Sequence, residues 1–226
     1  MSTSNIAYLE QIDKYYSRKL SSHSLIHLGS TPEILIKFGA PVLPLVMQQS
    51  TLTKCIRKST GSRSAHELSR SVIESIPEQI DNPIFLIEEK ERNSIALISD
   101  VKDQNNNNIL IAIRLNTVRK ELYVNEIKSI YGKTALKEYL HKHMELNQLH
   151  VIDNKKAGML SRVLGLQLST TLITSNFYKN IPSASSKVNT DFRKSVVQSL
   201  HTYQKEIAEK QPDDNNLEQQ RPQQER

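Results

Sequence analysis

Between Ser94 and Gly132 the chain spells two apolar runs and one alternating run, and this pattern commits it to an antiparallel sheet. The first run is Ser94-Ile95-Ala96-Leu97-Ile98-Ser99 and the second is Ile109-Leu110-Ile111-Ala112-Ile113-Arg114-Leu115, with four asparagines, Asn105 to Asn108, between them. Apolar runs of this length across an Asx-rich turn predict a β-hairpin, with a loop longer than the two-residue class. Lys120 to Ile127 alternates well enough for a third strand, and Ile84 to Glu88, after Pro83, reads as another.

Helical periodicity surrounds this cluster. Ile6, Leu9, Ile12, Tyr16 and Leu20 recur at helical spacing over 6–20. Thr31-Pro32-Glu33 predicts a helical turn with Thr31 as N-cap, and Gly39 stops it. The segment 40–45 is extended, because Pro41 and Pro44 push their predecessors out of the helical region. Further helices are expected from Ser50 to Lys58, from Ala65 to about Ser75 with Ser64 as cap, over 132–147, and from Asn154 to Val163 with Gly165 as stop. Leu149 to Ile152 is a short strand, and Leu166 to Ile173 is the last apolar run. Helices, a strand cluster, then alternating helix and strand predict an α+β fold with a mainly antiparallel sheet.

Composition divides the chain in two. The hydrophobic share of 37% is below the globular norm, and the end of the chain explains the dilution. Residues 176–226 read as a disordered polar tail with too little apolar surface to offset chain entropy. From Lys187 onward seven basic residues face seven acidic ones, so the whole formal excess of +6 sits on residues 1–186. A basic folded body suits a polyanionic partner. The single cysteine, Cys55, excludes a disulfide framework and a cysteine-rich zinc site. No secretory leader and no apolar run long enough to span a bilayer is recognised, so a cytoplasmic location with no membrane partner is expected.

Glycine-rich phosphate loops and the common metalloprotease and serine-hydrolase motifs are absent. His141 and His143 lie ~200° apart on a helix, too far round to share an ion, so no metal site is expected and both read as solvated. Two segments carry site-like chemistry. Lys54 and Lys58, one helical turn apart, are followed by His66 in the first turn of the next expected helix, where the dipole lowers its pKa. Lysines so spaced also occur on ordinary solvated faces. The second segment is Tyr123 to Gly132. There Asn125, Ile127 and Ser129 are expected on one strand face, with Glu126, Lys128 and Ile130 on the other. Polar residues in that density line a cleft, or form the wet face of an edge strand.

These residues carry a resemblance. Leu-Gly-x-Thr-Pro at 28–32, Leu-Pro-Leu at 43–45, Lys54 then His66, Ile76-Pro77 and Asn82-Pro83-Ile84 stand in a distinctive order. The order continues through Val124-Asn125-Glu126-Ile127-x-Ser129-Ile130-Tyr131-Gly132, Asn154-Lys155-Lys156-Ala157 and Leu166-Gln167-Leu168. The set resembles the C-terminal toxin-like domain of MuF-type phage head proteins, a group assigned to the barnase, EndoU, RelE and colicin-type RNase superfamily. It covers about 25–175, with 1–24 as a helical extension. The resemblance implies N-terminal helices packed on a four-stranded, mainly antiparallel sheet. This would be a free-standing version, without the portal-adaptor region. Relatives carry Lys-His-Gly at one helix end, whereas this chain has Lys58-Ser59-Thr60-Gly61 and reaches His66 later.

The implied activity is metal-independent endoribonucleolysis without a cofactor, as a toxin encoded by a phage or mobile element, delivered into a target cell or packaged with a particle. The RNA 2′-hydroxyl attacks the neighbouring phosphate, which excludes DNA. His66 is the implied base or acid, and Lys54 or Lys58 the phosphate-neutralising cation. Asn125, Ser129 and Tyr131 are the implied donors. Glu126, as an alternative base, and Lys128, Lys155 and Gln167 are the implied substrate-binding residues. RNA, an immunity protein or antitoxin, and a phage structural protein are the implied partners. The alternative is a non-catalytic RNA- or protein-binding domain of the same fold. In a third reading, residues 174–226 dock the domain on an assembly through Phe177, Tyr178, Phe192 and Tyr203.

Overall fold

The computed structural model describes residues 3–58 and 66–168, all within the unit Met1–Asn176. The expected disordered tail, its docking role and the end of the last apolar run lie outside the described residues. In chain order the elements are α1 (Thr3–Tyr16), β1 (Leu25–Ser30), α2 (Glu33–Lys37), β2 (Pro44–Gln48), α3 (Gln49–Ile56), α4 (Arg70–Glu74) and α5 (Ile76–Asp81). Then follow β3 (Phe85–Glu89), β4 (Ser94–Lys102), β5 (Asn108–Arg119), β6 (Leu122–Gly132), α6 (Leu136–Glu145), β7 (Leu149–Val151) and α7 (Asn154–Leu164).

The fold is α+β, but its sheet is not the four-stranded antiparallel one expected. Seven strands run in the order β1-β2-β6-β5-β4-β3-β7. The pairs are antiparallel except β2 with β6, which is parallel. Nor are the helices gathered at the N-terminal side. Ile109, Ile111 and Ile113 of β5, with Ile95, Leu97, Ile127 and Ile130, pack against Tyr8 and Ile12 of α1, Leu52 and Cys55 of α3, and α4 and α5. On the opposite face, Phe85, Ile87, Ala96, Ile98 and Leu110 pack against Leu136 and Leu140 of α6 and Ala157 of α7. Strands covered on both faces read as continuous apolar runs, which is why β4 and β5 are so visible in the sequence.

That second covering layer stops short. No residue of β1 or β2 takes part in the core under α6 and α7, and β6 contributes only Tyr131 at its margin. On this side the β1-β2-β6 part of the sheet carries no helix among the described residues.

The β5–β6 hairpin outlasts its neighbours. β4 pairs with β5 only as far as Arg114, and β2 meets β6 from Asn125 to Ile127. Leu115 still bonds Asn93 beside β4, whereas residues 117–124 pair only within the hairpin, closing at Arg119 opposite Leu122. Lys120 and Glu121 both have positive φ, 47° and 68°, the geometry that matches the right-handed strand twist in a two-residue turn. The asparagine loop is tied by Asp103, whose Oδ1 accepts from the backbone N–H of Asn105 and Asn107 at 2.9 and 2.8 Å. Gly132 sits against that carboxylate so closely that a Cβ would overlap it.

Local expectations shift in detail. Thr31 does not cap α2, which starts from Pro32 without a side-chain cap. The helix expected from Ala65 forms only from Arg70, capped by Ser69, so His66 lies outside it. Asp153, not Asn154, caps α7 by accepting from the Lys156 N–H, and Gly165 ends that helix in the left-handed region at φ 60°. At the outer edge of the sheet, Gln11 of α1 bonds both backbone groups of His27 and so occupies the edge that β1 would otherwise present.

Candidate functional site at strand β6

Strand β6 decides which polar residues can act together, and a β-bulge overturns the simple alternation. Ala112 faces Ser129 while Ile113 faces Ile127, so Lys128 is an extra residue without a partner in β5. Arg114 faces Glu126 and Leu110 faces Tyr131. Because 110, 112 and 114 share one side of β5, Tyr131, Ser129 and Glu126 share one side of β6. Asn125 lies opposite Leu45 of β2 and points to the other face. The expected Asn125–Ser129 row is therefore broken, and Ser129 joins Glu126 instead.

Asn125 is fully buried and its amide is consumed. Its Nδ2 donates to Thr31 Oγ1 at 2.7 Å and to the Pro41 carbonyl at 2.9 Å. Its Oδ1 accepts from the Asn116 backbone at 3.0 Å. Thr31 Oγ1 in turn donates to the Leu43 carbonyl at 2.6 Å. This network pins the crossover between β1 and β2 to the hairpin, so the residue expected to face substrate faces the fold.

His66, Tyr131 and Lys54 do come together, at the other end of β6. Since β2 stops at Gln48, the outer edge of β6 beyond Ile127 has no strand neighbour, and α3 covers it, with Cys55 Sγ donating to the Ile130 carbonyl at 3.5 Å. After α3 the chain returns so that the His66 backbone N–H donates to the Lys54 carbonyl at 3.3 Å. The His66 and Tyr131 rings stack with centroids 5.2 Å apart and planes inclined by 31°. Burial, then the nearby Lys54 ammonium, lower the His66 pKa below the ordinary histidine value. The ring is neutral for these reasons and not through a helix dipole. Its Nε2 is buried with no hydrogen-bond partner, which is uncommon for a buried polar atom and marks functional sites more often than plain cores. Burial, then the Glu89 carboxylate, raise the Tyr131 phenol, so it stays a donor.

The remaining candidates separate. Ser129 is half-buried on the Tyr131 face, one same-side step away, roughly 7 Å along the strand. Lys58 is exposed beyond the end of α3. Lys155 is exposed on α7, and Gln167 is exposed in irregular chain after it instead of opening a strand. Neither is brought to His66 by any contact seen.

Glu126 belongs to a second cluster, ~14 Å from Tyr131 by the register of β5. The carboxylate is fully buried. Arg119 Nη2 lies 2.8 Å from Oε2, Lys128 Nζ 3.4 Å from Oε1, and Gln48 Nε2 donates to Oε1 at 2.5 Å. The bulge brings Lys128 onto this carboxylate, and the folded-back hairpin tip brings Arg119. Sequence reading missed Arg119 and Gln48, because only the register shows that 119 and 48 flank 126.

His143, expected to be solvated, is buried and bonded to Gln148 at 2.7 Å. Among the described residues no group of three or more His, Cys, Asp or Glu is placed to hold a metal ion, and no helix is long and apolar enough to cross a membrane. Two surface clefts, of about 380 and 360 Å³, lie elsewhere: one by Glu78, Asp100 and Lys156, the other by Tyr15, Tyr16 and Gln49.

No curated protein and no solved structure matches the chain. A family does. Residues 57–158, a little under half of the chain, match the model of the Phage MuF-C-terminal domain, and that span holds His66, the whole of β6 and α6, but not Lys54 or Gln167.

Proposed function

We propose that this chain is a metal-independent endoribonuclease of the toxin or effector type, carried by a phage or mobile element. The observation that supports it best is the neutral His66 imidazole, stacked on Tyr131 beside Lys54, with a ring nitrogen that has no partner. In this reading His66 takes the proton of the RNA 2′-hydroxyl, whose oxygen attacks the adjacent phosphorus while the bond to the 5′ oxygen breaks. Lys54 neutralises the charge that gathers on the phosphoryl oxygens, and Tyr131 and Ser129 donate hydrogen bonds to them. The leaving oxygen takes its proton from water. Asn125 has no part in the chemistry, since its amide holds the framework.

Incubating the purified protein with RNA in excess EDTA tests this. Wild type cleaves, and His66→Ala slows cleavage by ~10²–10⁴-fold while keeping its circular dichroism spectrum. Intact RNA with wild type, or equal rates for both proteins, rejects it.

A second reading has its own support. The free Nε2 is enclosed by protein, as suits a stacked structural histidine in a non-catalytic domain that binds RNA or a protein such as an immunity partner or a phage structural protein. RNA retained on the protein but left intact is the outcome this reading expects.

A further inference from the structure

We propose that the side of the sheet around Glu126 is an anion seat that holds a backbone phosphate of the RNA a few nucleotides from the cleaved bond. The ligand's identity rests on the RNA reading above, whereas the seat rests on three features of its own.

First, two cations hold one buried acid and a third stands opposite it in the ladder. Arg119 arrives from the hairpin tip, Lys128 from the bulge, and Arg114 from the position directly opposite Glu126 on β5. The two cations in contact outnumber the one carboxylate they share. The Arg119 and Lys128 side chains remain 33% and 37% exposed, and Arg114 is exposed. The carboxylate therefore lies beneath the cations and the cations face solvent.

Second, the pairing is imperfect. Glu126 Oε2 and Arg119 Nε are both buried without a hydrogen-bond partner, although Nη2 lies 2.8 Å from Oε2. Arg119 Nη1 also donates to the Val118 carbonyl at 3.2 Å, and a guanidinium that engages its carboxylate through one badly aimed N–H keeps outward N–H groups on its 33% exposed side chain for another oxyanion.

Third, no described helix lies over this face. The core under α6 and α7 takes in nothing from β1 or β2, so a strand of nucleic acid can lie along β6 from Arg114 toward Tyr131. Glu126 is then a positioning residue: it orders Arg119 and Lys128 for the phosphate and does not touch it.

Binding of a single-stranded 2′-O-methyl RNA, which cannot be cleaved, measured by fluorescence anisotropy against salt, tests the seat. Arg114→Ala and Lys128→Ala each weaken binding about threefold to tenfold and lower the salt slope by ~0.7, whereas Lys142→Ala, exposed on α6, changes neither. Glu126→Gln separates ordering from bulk charge. It weakens binding if the acid positions its cations, and strengthens binding if only net charge counts, which overturns the positioning role. Unchanged binding in both cation variants, with wild-type cleavage intact, overturns the seat and leaves the nuclease reading standing. Titration with inorganic phosphate, followed through the amide resonances of Glu126 and Lys128, gives the converse. Shifts there with no RNA bound or cleaved keep the seat and remove the RNA reading, and no shift together with no RNA binding overturns the seat.

Discussion

The two halves of this sheet solve the same burial problem differently. Over β4 and β3 both faces lie under helices, and the polar groups there are few and internally spent, as where Ser99 Oγ donates to Gln79 Oε1 at 2.9 Å and Asn108 Nδ2 to the Ser99 carbonyl at 2.9 Å. Over β2 and β6 one face carries no helix among the described residues, and there the chain places a buried carboxylate, two cations and an amide. A covered half can be built from apolar runs alone. An uncovered half must be held by charge and hydrogen bonds, and those same groups are what a polyanion meets. The contrast places candidate chemistry by packing and not by motif.

The largest effect that sharpens the contrast concerns Asn125. Asn125→Ala leaves the Asn116 N–H without its acceptor and removes the bonds to Thr31 Oγ1 and the Pro41 carbonyl, so it costs roughly 2–4 kcal/mol in chemical denaturation at unchanged denaturant slope. Ser129→Ala, half-buried on the open side, stays within ~0.5 kcal/mol. Equal losses for the two contradict the split between framework and open face.

A smaller effect is pH-dependent. His66 has a lowered pKa in the fold, so between that value and the ordinary ~6.5 the unfolded chain binds more protons than the folded one. Stability is full above this window and falls as pH drops through it. His27, lowered by burial and then by Lys120, adds to the same slope. His66→Gln makes the fall shallower without abolishing it, read as melting temperature between pH 7 and pH 5. An identical slope in the variant places His66 in ordinary solvent.

What the sequence reveals follows the same division. β3, β4 and most of β5 are legible because strands buried on two faces leave uninterrupted apolar runs. β1 and β2 are not, because Gly29 breaks one at a register shift and prolines crowd the other. The parallel β2–β6 pair has no local signal at all. At the site, the proximity of Lys54 to His66 is legible through chain order, but its cause is not: His66 sits in irregular chain, where burial and a lysine do what a helix dipole was expected to do. The bulge at Lys128 is the hardest loss, since one unpaired residue exchanges the faces of everything after it, and no spacing rule announces it.

The proposed nuclease requires Lys54, His66 and Tyr131 to act as one RNA-cleaving unit. The most direct measurement follows a short RNA bearing a single 2′-deoxy nucleotide at the preferred cleavage position, in excess chelator, by mass spectrometry. The account predicts cleavage of the all-ribose strand to a 2′,3′-cyclic phosphate end, no cleavage at the deoxy position, and loss of both products with His66→Ala. Scission at the deoxy position, or the same products from His66→Ala, would contradict it.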